Sequence, residues 1–153
     1  MISSKEPDYP KHEYFLRRCI ELALIAKNNG ESPVGSLIVK NGEIIGEGIE
    51  AGRSHLDITF HAEIEAIRNA SRFLKSQDLS DCILYTTHEP CMMCSYVIRH
   101  TKIKMIVMGL TTGELGGFSA DDPLLLKTVL KWANPPVIVH GILKDACENL
   151  HRE

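Results

Sequence analysis

Two apolar runs, VGSLIVK at 34–40 and EIIGEGI at 43–49, meet at the dipeptide Asn41-Gly42. Both residues tolerate the positive φ angles of a two-residue turn, so the stretch predicts a β-hairpin. The order of elements after the hairpin constrains the fold most. From Phe60 the pattern turns helical, with Glu63, Ile67, Ala70 and Leu74 along one face and Asp57 or Thr59 as its expected cap. CILYTT at 82–87 reads as a strand, CMMCSYVIRH at 91–100 as a helix, and KIKMIVMGL at 102–110 as a strand. Ahead of the hairpin, residues 11–29 carry the stripe Phe15, Cys19, Leu22 and Ala26, which Gly30 can end. Past the loop TTGELGGFSADDP, a helix through Trp132, a short strand PVIVH and a last helix near LKDACENLH are expected. Helices and strands in this order predict an α/β sheet covered by helices on both faces.

Composition sets the bounds. A chain of 153 residues suits one domain, 1–153, with residues 1–10 expected as a flexible N-terminal extension. The net charge of −3 gives no general attraction to nucleic acid. The polar N-terminus and the lack of a long apolar run predict no signal peptide and no membrane partner. Cys19, Cys82, Cys91, Cys94 and Cys147 are odd in number and mostly scattered, which argues against a disulfide scaffold and for a cytoplasmic setting. Cys19, Cys82 and Cys147 lie on apolar faces and read as small buried hydrophobes. His12, His55, His140 and His151 are expected at the surface.

Cys91 and Cys94 lie three apart behind Pro90, at the entry of a helix. Such a pair can be a redox couple, half of a structural metal site, or part of a catalytic one. His61 and Glu63 stand at the entry of the preceding helix. One imidazole and two thiolates are the three donors a catalytic zinc takes when its fourth position is kept open, whereas a fourth ligand, with Glu63 as the candidate, makes the site structural. Residues two apart on a helix point to different sides. His61 therefore serves the metal only from the very start of the helix, and Glu63 lies on the buried face. Desolvation raises the pKa of a carboxyl there, as a proton shuttle requires. We read Glu63 as general base and acid.

His61-Ala62-Glu63 followed by Pro90-Cys91-Met92-Met93-Cys94 closely resembles the signature of the zinc-dependent cytidine deaminase superfamily. SPVGSLIVKNGEIIGEG and the span from His61 to Gly109 are similar to the branch holding tRNA adenosine deaminases, guanine deaminases and fungal cytosine deaminase. The tail VIVHGILKDACENL looks like the end of the tRNA enzymes. The resemblance implies a three-layer α/β/α fold with a mixed central sheet, a homodimer, and one zinc ion per chain held by His61, Cys91 and Cys94. It also implies that Glu63 shuttles a proton from water to a ring nitrogen and then to departing ammonia. Backbone N–H groups near Ala62 and Cys91 are candidates for holding the site together, with His88 and Phe60 as candidate substrate contacts.

Three departures from that branch bear on substrate. Glu50 stands where relatives carry an asparagine that bonds the base. Asparagine donates and accepts, but an ionised glutamate only accepts, so Glu50 favours an edge presenting N–H groups, as in guanine. Ile58 replaces a proline of the tRNA enzymes. The last fourteen residues set Lys144 and Arg152 against Asp145, Glu148 and Glu153, a weak grip for phosphates, leaving Lys102, Lys104, Arg99 and Arg53 as a local patch. Asp122, or Asp121, in the loop is a further candidate contact, against a helix-capping role. The sequence thus predicts a zinc-dependent hydrolytic deaminase of a small nucleobase or nucleoside, guanine-type favoured. A tRNA adenosine deaminase is the alternative, with tRNA disfavoured as a partner, and a cytosine deaminase comes third. A non-catalytic zinc-binding module is the reading from another class.

Overall fold

A computed structural model describes residues 6–152 of the chain. The sheet has the order β2-β1-β3-β4-β5, with β1 at Gly35–Lys40, β2 at Glu43–Ile49, β3 at Cys82–His88, β4 at Met105–Leu110 and β5 at Val137–Val139. β1 runs antiparallel to β2 and β3, while β3, β4 and β5 are parallel. Asn41 and Gly42 take φ angles of 51° and 78°, the turn their types predict.

The period of two along β1 sorts the core into two layers. Leu37 and Val39 face α1 (Tyr9–Asn28) and α5 (Lys144–Leu150), packing with Phe15, Cys19, Tyr85 and Cys147. Ile38 faces the other way, onto α3 (Ala62–Leu74) and α4 (Met92–His100), with Ile67, Ala70, Leu84 and Ile98. The expected α/β/α layering and mixed sheet are therefore both present. α3 rides close on β2: a Cβ at Gly48 would lie 2.1 Å from the Ala62 carbonyl oxygen, so glycine alone lets the start of α3 approach the strand.

Several local expectations are corrected. No helix runs through Trp132; residues 111–136 form turns and extended segments. The buried Arg99 guanidinium explains this, because it takes the carbonyl oxygens that helical N–H groups would otherwise use. Its Nη1 donates to Leu124 O and Lys127 O, both at 2.7 Å, and Nη2 to Ala133 O at 3.4 Å, with the Trp132 ring against it. Arg99 is therefore no part of a cationic patch. Lys102 and Lys104 are exposed before β4, at the end of the sheet opposite the α3 and α4 entries. His12 is buried, its Nδ1 2.9 Å from the Tyr85 hydroxyl. Tyr9 and Pro10 already belong to α1; residues 1–5 of the expected extension lie outside the described residues. An unforeseen short helix, α2 at Gly52–His55, follows β2. No helix among the described residues is long and apolar enough to cross a membrane.

Candidate metal centre and cleft

The site forms where α3 and α4 begin, beside the C-terminal end of β3. Neither Asp57 nor Thr59 caps α3. Asp57 Oδ1 instead accepts from Thr59 N and Oγ1, and His61 itself occupies the N-cap. Cys91 occupies the N-cap of α4. Both stand outside the helical ladder with extended backbone, so their side chains leave the helix axis and converge. His61 Nδ1 lies 3.4 Å from Cys94 Sγ and 3.5 Å from Cys91 Sγ, and all three donor atoms fall within 4.8 Å of one another. One nitrogen and two sulfurs at these separations fit the N/S donor set and tetrahedral spacing of zinc, and they are positioned to bind one metal ion. Glu63 is not among those donors.

Electrostatics favours a metal-binding thiolate. The hydrogen bond from Cys94, followed by that from His61, pulls the Cys91 thiol down to about 4 against the opposing effect of burial. The Cys91–Cys94 hydrogen bond, then burial, hold the Cys94 proton more tightly. His61 is raised to about 9, chiefly by its bond to Cys91. Glu63 is 4% exposed, and burial lifts its carboxyl to about 7.

A cleft of about 270 Å³ opens onto these groups, lined among others by Glu50, His61, Glu63, His88, Cys91 and His151. Glu50 Oε2 accepts from the backbone N–H groups of Ala51 at 3.0 Å and Gly52 at 3.2 Å, while Oε1 points toward His61 Nε2 at 4.0 Å. Of the other candidates, Ala62 stands at the site between His61 and Glu63, while Phe60 and Asp122 lie outside the cleft lining. Ala62 is buried in the first turn of α3. Phe60 stacks on His55 at 4.0 Å with Arg68 on the ring, outside the cleft lining. Asp122 is exposed, paired with Lys127 at 3.1 Å, and does not line the cleft. It lies just ahead of the Leu124–Ala133 segment that the Arg99 contacts hold against α4.

Sequence reading overlooked two residues here. His151, expected at the surface, keeps an exposed face but lines the cleft beside His88, with ring centroids 5.6 Å apart. No local pattern signals this, because it depends on how α5 docks. Glu89, just ahead of Pro90, is almost wholly buried and stitches the 111–119 loop to the cysteine helix. Oε1 accepts from Thr112 N and Ser119 Oγ at 3.0 and 2.6 Å, and Oε2 accepts from Phe118 N and Ser119 N, both at 2.9 Å. A Cβ on Gly116 would strike that carboxylate. Burial acts to raise the Glu89 pKa, but the bonds from Ser119, Phe118 and Thr112 overcome it and lower the net value. A carboxyl lowered on folding contributes stability above its unfolded pKa of about 4.5 and loses it as pH falls through the folded value. Thermal unfolding of wild type against Glu89→Gln should therefore show a gap that is widest near neutral pH and closes as the pH falls below about 4.5 and through the lowered folded value.

Residues 9–110 match the family described as the cytidine and deoxycytidylate deaminase zinc-binding region. A tRNA-specific adenosine deaminase from Aquifex aeolicus is 38% identical over 129 residues, 82% of this chain and 85% of the relative. The guanine deaminase of Bacillus subtilis is 38% identical over 128 residues, 83% of this chain and 82% of the relative. A solved structure from work on A-to-I editing by tRNA:A34 deaminases at the wobble position has a TM-score of 0.83 at 26% identity, covering 90% of this chain and 98% of that one. These likenesses correct the low rank that the acidic tail assigned to tRNA.

Proposed function

The chain belongs to the cytidine and deoxycytidylate deaminase zinc-binding family, and from that membership we propose that it hydrolytically deaminates a purine, with adenosine in a tRNA anticodon loop as the leading substrate. The likeness to tRNA-acting relatives over most of both chains supports that choice. The buried Glu63 carboxyl beside the His61, Cys91 and Cys94 donors carries the chemistry. Zinc, when bound, activates water for attack at neutral pH. Glu63 takes a proton from that water onto its carboxylate and passes it to the ring nitrogen next to the amino-bearing carbon. A C–O bond forms there. Glu63 then takes the proton of the newly attached hydroxyl and hands it to the amine, the C–N bond breaks, and ammonia leaves a carbonyl behind. Water and one amino group are consumed, so atoms and charge balance.

Glu50 supports a second reading, a guanine-type base or nucleoside. Two backbone donors anchor Oε2, which leaves Oε1 facing the cleft as an acceptor. Guanine offers ring N–H and amine donors to such a group, while the ring nitrogens of adenine only accept. Ammonia release from an anticodon stem-loop, guanosine, guanine, adenosine and cytosine tests both readings. Glu50→Asn is expected to raise kcat/KM about tenfold on the stem-loop under the first reading, and to lower it about tenfold on guanine-type substrates under the second. Turnover of cytosine alone would overturn both.

A further inference from the structure

The tail that brings His151 to the cleft is fastened rather than loose. Lys27 Nζ of α1 donates to Leu150 O at 2.8 Å and to Arg152 O at 2.6 Å, the carbonyls on either side of His151. The ring is thereby held against His88, which ends β3, with centroids 5.6 Å apart and planes tilted by 54°. Both imidazoles line the cleft that also holds Glu63 and Cys91. Ser32 and Thr112 add two hydroxyl-bearing residues to the lining, which among the described residues contains no lysine or arginine. Those four side chains can each donate and accept. Such a set suits neither a phosphate nor a cation. It suits a polyol, whose hydroxyls donate and accept in the same way.

We propose that His88 and His151 form a sugar subsite, so that the substrate enters as a nucleoside unit, its ribose hydroxyls held by the two imidazoles while the base meets Glu63. The proposal rests on the deaminase reading and narrows it. Burial lowers the pKa of His151, with His88 and Lys27 acting in the same direction, so its ring stays neutral near pH 7 and keeps one donor and one acceptor. A free base leaves those groups without partners. The cleft suits a small ligand, lying just below the usual range of about 300–1,000 Å³ for ligand pockets.

The zinc-loaded full chain tests this in two measurements. The first compares kcat/KM for adenosine with adenine and for guanosine with guanine, by ammonia release. Wild type should prefer the nucleoside. His151→Ala and His88→Ala should each erase about tenfold of that preference through KM, the worth of a lost hydrogen bond, and His151→Gln should restore part of it. Zinc content should stay at one per chain in every variant. Equal use of base and nucleoside by wild type, or a preference that survives the double alanine variant, would overturn the subsite. The second follows the His88 and His151 imidazole resonances by NMR as adenosine or guanosine is added. Shifts with a nucleoside but not its base support the subsite even if no ammonia is released from these compounds or from the anticodon stem-loop, an outcome that removes the deaminase reading alone. Unmoved resonances with both nucleosides remove the subsite, whatever the ammonia assay shows.

Discussion

Glu63→Gln is expected to lower kcat by about 10³-fold while zinc remains at one per chain. The substitution keeps the size and one acceptor of the side chain but removes the group that takes and returns protons. General acid–base catalysis by one placed group is worth roughly 10²–10⁴, and Glu63 is asked to serve two proton transfers in one turnover. Its burial raises the carboxyl to about 7, matching proton affinity to neutral solution. A dication at the neighbouring donors pulls that value down, so the acid limb of the pH–rate profile should lie below pH 7 and vanish in the variant. Ammonia release and metal analysis on the same preparation decide the matter. If kcat stays within tenfold of wild type, proton transfer belongs to another group.

Cys94→Ser is the second large effect. The side chain is fully buried, with its Sγ 3.4 Å from His61 Nδ1 among the three converging donors. Serine nearly preserves its volume, so the fold should survive, but it replaces a soft thiolate with a hydroxyl that stays protonated near neutral pH. Outer-shell changes around metal sites cost about 10–100-fold in affinity, and loss of a direct ligand should exceed that. We expect zinc to fall well below one per chain after dialysis, and turnover to fall with it. Retention of full zinc would mean that the ion is held by a different set.

Features set by local spacing are legible in the sequence. The Asn41-Gly42 turn, the α1 stripe and the buried face of α3 each depend on residues a few positions apart, and each took its expected form. The convergence of His61, Cys91 and Cys94 spans 30 positions and more, and it is legible from the donor chemistry and the resemblance of the motif to the deaminase signature, not from local spacing. The expectations that failed depended on partners far along the chain. His12 is buried because the Tyr85 hydroxyl, 73 positions away, meets its ring. The segment around Trp132 has the composition of a helix, yet the Arg99 guanidinium accepts no such arrangement and gathers its carbonyls instead. His151 reaches the cleft through the docking of α5 and the bonds from Lys27, 123 and 125 positions from the carbonyls it holds. Glu89 reads as an ordinary charged residue until the loop folds over it.

The Arg99 arrangement has a practical corollary for engineering. Arg99 binds its strap through main-chain oxygens of Leu124, Lys127 and Ala133, atoms that every amino acid supplies. Most side chains between them face solvent, among them Leu126, Lys127, Thr128, Leu130 and Lys131. The strap can therefore be rewritten residue by residue without touching the cysteine helix that anchors it. A library confined to those exposed positions would explore new surfaces while the catalytic chassis stays constant.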